Sequence, residues 1–149
     1  MRRLRFKTIR FSVAIKSAAL FTVLLTPSVT VSSAELPQLC QGNCSGVTTA
    51  TSGISAINET ANRLDIHQSA AAAQINWAKF NIGAGNTVQF HQPGTESVAV
   101  NNIHSADPSQ IFGALQANGN VYLINANGFL FGNGAAVNVH SLIASTLDI

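Results

Sequence analysis

The chain has 149 residues, room for one modest domain. Charged residues make up 9% and apolar residues 46%, which excludes a solvated disordered chain, whose signature is high charge with low hydrophobicity. The formal charge of +2 belongs to the N-terminus: beyond Arg2, Arg3, Arg5, Lys7, Arg10 and Lys16, only Arg63 and Lys79 face Glu35, Glu59, Asp65, Glu96, Asp107 and Asp148, so the rest is net acidic and offers no basic surface to nucleic acid.

In chain order, Met1 to Lys16 is a basic run, Ala18 to Leu25 is a short apolar core, and Pro27 breaks it. Small residues at Ser32, Ser33 and Ala34 suit a cleavage site. We expect residues 1–34 to be a secretory signal with an extended basic region, delivering the chain to the Sec translocon. A membrane anchor is the competing reading. It needs about 20 uncharged residues, more than Lys16 and Pro27 enclose. Export places the remainder, residues 35–149, in an oxidising compartment. Cys40 and Cys44 are then expected to close a small disulfide loop. Two thiols without a second pair or a nearby His make a poor zinc site, and so short a loop contributes little entropy.

Pro37 to Ser55 is rich in Gly, Ser and Thr and reads as loop with edge strand. Leu64 to Gln68 alternates cleanly, as a half-buried strand does. Ala70 to Ala73 has helical propensity, but alternation continues into Ile75-Asn76-Trp77, so strand is the preferred reading and helix the alternative. Gly83, Gly85 and Asn86 supply a turn; neither a third glycine nor a Lys-Ser/Thr pair follows to make a phosphate loop. Trp77, Phe80 and Ile82 read as core. Thr87 to Phe90 and Ser97 to Ile103 read as strands. Gln110 to Leu115 is expected to form one helical turn capped by Asp107 or Ser109. His67, His91, His104 and His140 read as scattered, with no ligand spacing to each other, to Cys or to an acid. No metal site, cofactor, small-molecule substrate or nucleophile signature is expected, hence no enzyme.

The last stretch, Asn118 to Ile149, sets three Asn-Gly pairs (Asn118-Gly119, Asn127-Gly128, Asn133-Gly134) between apolar runs too short for helices. Asn and Gly tolerate positive φ, so each pair reads as a turn and each run as a strand. Imperfect rungs of about twenty residues would give a parallel β-helix, whose corner asparagines can stack amide on amide. A β-sandwich fits the strand count nearly as well, and would suit a surface module binding carbohydrate or host.

The segment Ile75 to Ile149 resembles the N-terminal secretion domain of filamentous haemagglutinin-type exoproteins, the secreted members of bacterial two-partner secretion systems. The likeness lies in INWAKFNIGAGNTVQFHQP (Ile75 to Pro93), SVAVNNI (Ser97 to Ile103) and the run Pro108 to Ile149, with a weaker match from Leu36 through Gln68. The family's Asn-Pro-Asn-Gly hallmark is similar to Asn125-Ala126-Asn127-Gly128, with Ala126 in the proline's place. The resemblance implies an all-β, right-handed parallel β-helix with small additional β elements. It implies recognition by a partner transporter, an outer-membrane β-barrel with periplasmic POTRA domains. It implies release to the extracellular space or outer surface. Asn125, Asn127 and Gly128, with Asn118 and Gly119 at the preceding turn, would be the transporter-recognition motif, the residues that shape the domain for export. The family's domain normally runs past the stretch ending at Ile149, so we expect a truncated secretion domain with an open last rung. The full-length protein would be an adhesin or haemagglutinin, a haemolysin, or a contact-dependent inhibition toxin.

Overall fold

A computed structural model of the chain describes residues 35–42, 44, 47 and 51–147; the expected signal at residues 1–34 lies outside them. The described residues form twelve strands and no helix. They are β1 (Gln38–Leu39), β2 (Ile54–Glu59), β3 (Arg63–Gln68), β4 (Ala72–Lys79), β5 (Thr87–His91), β6 (Val98–Ile103), β7 (Ser109–Ile111), β8 (Ala114–Ala117), β9 (Asn120–Asn125), β10 (Phe129–Phe131), β11 (Ala136–Asn138) and β12 (Ser141–Ser145).

From β3 onward, consecutive strands turn corners instead of pairing as hairpins, and each strand pairs with the strand one rung away. One sheet has the order β1-β4-β6-β9-β12, a second β11-β8-β5-β3-β2, and a narrow third face joins β10 to β7. All pairings from β3 onward are parallel. The result is a β-solenoid of about four turns, a parallel β-helix and not a sandwich. Its repeat is uneven: the partners Leu64–Val88, Val88–Leu115 and Leu115–Val137 lie 24, 27 and 22 residues apart. That irregularity hides the repeat from inspection of the sequence. Only β1 and β2 run antiparallel to their neighbours, β4 and β3, and they cover the first rung.

Period-two alternation decides what is inside. β3 and β6 bury every second residue, as strands with one face on a core must. Because the ladders are parallel and in register, buried residues stack in columns. Leu64, Val88 and Leu115 form one, and Ala73, Ala99 and Val121 another. Trp77 and Phe80 are fully buried and meet edge to face, with centroids 5.4 Å apart, a favoured aromatic arrangement. On the last rung Phe131 and Val137 are exposed, although their register partners Ile111 and Leu115 are fully buried.

One local expectation is corrected. Ala72 to Lys79 is a strand, as preferred, but Gln110 to Leu115 is not a helical turn. It is the end of β7, a corner, and the start of β8. The Ser109 amide donates to the Gly128 carbonyl at 3.0 Å, and Ile111 pairs with both Ile82 and Phe131. Non-local pairing therefore overrides the local capping pattern. Cys40 and Cys44 are disulfide-bonded, with Cα atoms 5.5 Å apart. The bond lies just after β1, where the Cys40 amide donates to the Asn76 carbonyl on β4.

Candidate functional site: the asparagine corners

The residues singled out by the sequence do not form one cluster. They occupy two corners, one at each end of the six-residue strand β9.

At the first corner, Asn118 and Gly119 join β8 to β9. The Asn118 side chain reads the backbone of the rung before it. Its Oδ1 accepts from the Gln92 amide at 2.8 Å, and its Nδ2 donates to the Gln92 carbonyl at 2.8 Å. A side-chain amide thus takes the place of a paired strand, leaving neither backbone group orphaned. Gln92 itself turns inward and is buried. Its Nε2 donates to Gln68 Oε1 and to the Ser97 and Asn120 carbonyls at 3.1, 3.2 and 3.3 Å, while its Oε1 accepts from the Gly119 amide at 2.9 Å. Gln68 continues the chain of contacts to the Ala70 and Val98 carbonyls. The two glutamines form a polar link from one rung to the next inside the coil. Buried amides are tolerable only when so fully satisfied.

Gly119 corrects an expectation. Its φ is not positive. Glycine is required here for room: a Cβ would lie 2.8 Å from both Gln92 Oε1 and the Ser97 carbonyl oxygen.

The second corner, Asn125 to Gly128, joins β9 to β10. Asn125 is completely buried. Its Nδ2 donates to Ser109 Oγ at 3.0 Å and to the Asp107 carbonyl at 3.2 Å, and its Oδ1 accepts from the Asn127 amide at 2.9 Å. The Gly128 amide closes the turn on the Asn125 carbonyl at 2.9 Å. Here the glycine does have a positive φ, 89°, the left-handed conformation that L side chains avoid. Asn127 is exposed but occupied, since its Nδ2 donates to the Ser105 carbonyl at 2.8 Å. Both asparagines therefore brace β9 against the loop of the previous rung, residues 105 to 109. Ala126 is exposed.

The stacked asparagine amides expected from the sequence are only partly realised. Asn102 Nδ2 lies 3.4 Å from Asn76 Oδ1 on the outer face, but the corner asparagines bond to backbone. The amide ladder proper is the Gln68–Gln92 pair. One further polar group, Asn101, sits fully buried in the column between Ile75 and Leu123. Its Oδ1 accepts from Trp77 Nε1 at 2.9 Å, and its Nδ2 donates to the Ala99 and Tyr122 carbonyls. Sequence reasoning missed Gln68, Gln92, Asn101 and Ser109. The usable signal was Gln68 and Gln92 one rung apart, visible only once the uneven repeat is known.

The ion pairs are made by other residues. Register partners His67 on β3 and His91 on β5 stack with centroids 4.6 Å apart and planes within 10°. This corrects the reading of scattered histidines: residues far apart in sequence become neighbours across a parallel ladder. Asp65 bonds His91 Nε2 at 2.7 Å and Arg63 Nε at 2.8 Å. The Arg63 contact, reinforced by His91, pulls the Asp65 carboxyl down to about 2. At the capped end, Glu35 pairs with Lys79 at 2.9 Å and accepts from Asn81. Burial pushes the Glu35 carboxyl up, but those hydrogen bonds and the Lys79 charge outweigh it and hold it below the ordinary value. Among the described residues, no group of three or more His, Cys, Asp or Glu side chains is arranged to hold a metal ion. No helix among them is long and apolar enough to cross a membrane. A hollow of about 450 Å³ lies at the capped end, between Leu36, Leu39, Ile57, Leu64 and Trp77, remote from both corners.

The chain is similar to known proteins. The TPS secretion domain family matches residues 43–149. Two heme/hemopexin-binding proteins of Haemophilus influenzae are similar, one 44% identical over 60% of this chain and the other, from strain Rd, 39% identical over 85% of it. The chain spans only 10% and 14% of their lengths. Among solved structures, the crystal structure of the HMW1 secretion domain from Haemophilus influenzae aligns with a TM-score of 0.62 and 38% identity, over 67% of this chain and 27% of that one. With a family match across most of the chain and the same coiled architecture, this chain belongs to the two-partner secretion (TPS) domain family.

Proposed function

We propose that this domain carries the export address of a bacterial exoprotein and that the periplasmic POTRA domains of its cognate outer-membrane transporter receive it. On this reading residues 1–34 take the chain through the Sec translocon and are removed. The transporter then engages residues of the mature domain by strand addition. Engagement comes before the corners close, because Asn125 is buried and both asparagines are committed to the preceding rung once the coil has formed. Closing the corners outside the cell then makes the step hard to reverse. Asn118, Gly119, Asn125, Asn127 and Gly128 serve export by building the corners, not by remaining on display.

The observation that carries this reading is the parallel coil, which aligns with a solved secretion domain at 38% identity and a TM-score of 0.62. Adhesion, and the heme/hemopexin binding named for the relatives, are on this reading activities of passenger sequence outside this segment. The test is secretion. The full chain, fused ahead of a passive reporter, is expressed with and without the cognate transporter. The reporter should reach the medium only when the transporter is present. Release independent of the transporter, or retention in its presence, contradicts the proposal.

A further inference from the structure

The three Asn-Gly pairs are chemically alike and structurally unequal. Asn-Gly is the dipeptide most prone to spontaneous deamidation, because glycine offers no Cβ to obstruct its own amide nitrogen. In the reaction the Gly nitrogen, having lost its proton, attacks the Asn Cγ. A new N–Cγ bond forms, the Cγ–Nδ2 bond breaks, and ammonia leaves, giving a succinimide. Water then opens the ring to aspartate or isoaspartate. No oxidant or cofactor is needed. What a fold controls is whether the nucleophile is free and whether the side chain can reach it.

Two of the pairs are locked on both counts. At Asn118 both side-chain amide atoms are bonded to the Gln92 backbone, and the Gly119 nitrogen is buried and donates to Gln92 Oε1. At Asn127 the Nδ2 is bonded to the Ser105 carbonyl, and the Gly128 nitrogen donates to the Asn125 carbonyl. The third pair has neither restraint. Asn133 and Gly134 are both exposed, in the turn between β10 and β11. Among the described residues nothing hydrogen-bonds the Asn133 side chain or the Gly134 nitrogen, and an added Cβ at Gly134 would come no nearer than 3.9 Å to the Phe112 carbonyl oxygen.

We propose that Asn133 is a spontaneous modification site of the folded domain, converting to aspartate and isoaspartate while Asn118 and Asn127 are protected by the corners they build. The product matters to the coil. It places a new carboxylate at the turn leading into β11, and isoaspartate lengthens the main chain by one methylene just before the register of β11 on β8 is set at Ala136–Ala114. The inference rests on hydrogen bonding alone and is independent of the export reading.

The experiment incubates the full chain at mildly alkaline pH, in native buffer and in strong denaturant, and follows each Asn-Gly peptide by mass spectrometry with an isoaspartate-specific methyl-transfer assay. In native buffer Asn133 should convert first, with Asn118 and Asn127 at least about tenfold slower, the protection given by a local opening free energy of about 1.4 kcal/mol or more. In denaturant the three rates should converge. Asn133→Ser should abolish the early acidic species and leave the slow ones unchanged. Asn118 or Asn127 keeping pace with Asn133 in native buffer would overturn the proposal, as would an early acidic species that survives in Asn133→Ser.

Discussion

The two ends of β9 carry the same dipeptide for opposite reasons. Asn118-Gly119 is a corner of close approach: its glycine has an ordinary φ and no room for a methyl group. Asn127-Gly128 is a corner of backbone conformation: its glycine has a positive φ, and an added Cβ would meet nothing within 4 Å. The buried amide also changes place. At the first corner it belongs to Gln92 of the previous rung, with Asn118 exposed; at the second it belongs to Asn125 itself. A turn motif read from sequence therefore identifies a bend without saying which atom enforces it. At the first corner the enforcing atom sits one rung away; at the second it lies in the turn itself.

The comparison can be broken by substitution. The largest effect should come from Gly119→Ala, whose methyl group must displace Gln92 and open the Gln68–Gln92 link. Overpacking of this kind costs about 1–3 kcal/mol, and loss of the buried amide bonds puts the expected effect at the upper end. Gly128→Ala suffers only the left-handed backbone and should lose about 1 kcal/mol. Thermal unfolding of the two variants decides it, and equal losses would mean that both glycines serve conformation. Next in size is Asn125→Ala. It strands the buried Ser109 Oγ, removes the acceptor of the Asn127 amide and should cost about 2 kcal/mol. Asn118→Ala, at an exposed corner where water can replace the side chain, should cost about 1 kcal/mol or less.

Smaller effects sharpen the picture. Ala126 follows the buried asparagine at the second position of a turn closed from Gly128 to Asn125, the position where proline is favoured. Ala126→Pro should stabilise by about 0.5 kcal/mol through the unfolded chain, and destabilisation would show that the turn differs from the one described. The acid end of the pH dependence should come in large part from Asp65 on the outer face, with Glu35 adding to it in the same direction. Asp65 has a folded pKa of about 2, below its unfolded value near 3.9. Its contribution to stability is therefore complete above about pH 4 and is lost as pH falls toward 2. Asp65→Asn should lower stability slightly near neutrality and flatten the acid limb of a pH–stability curve. An acid limb unchanged in that variant would place the acid sensitivity elsewhere.

Much of this fold was legible because strand alternation is a local signal. Arg63 to Gln68 alternates in the sequence and in burial, whereas Val98 to Ile103 alternates in burial with Ala99, Asn101 and Ile103 inside and the valines half-buried. The parallel coil was reachable from Asn-Gly punctuation only with the family likeness, since periodicity left a sandwich open. What sequence reading lost was non-local. Ser109 looked like a helix cap because capping is a local pattern, yet its hydroxyl and amide are committed to Asn125 and Gly128. The histidines looked scattered because 24 residues separate His67 from His91, and a parallel register makes them neighbours. Gln68 and Gln92 drew no attention because glutamine is ordinary at a surface. Its meaning came from burial, which follows only from the coil.

Hydrogen exchange on the full chain tests most directly whether the corners are internal braces. The Ser109 amide, held by the Gly128 carbonyl, and the Gly119 amide, held by Gln92 Oε1, each tie one rung to another. If the corners lock rung to rung, both amides exchange as slowly as those of Val121 and Leu123 in the middle of β9, through global unfolding. Exchange of Ser109 and Gly119 at the rate of free turn amides, with the middle of β9 still protected, would contradict that account and leave the asparagine motifs as surface turns.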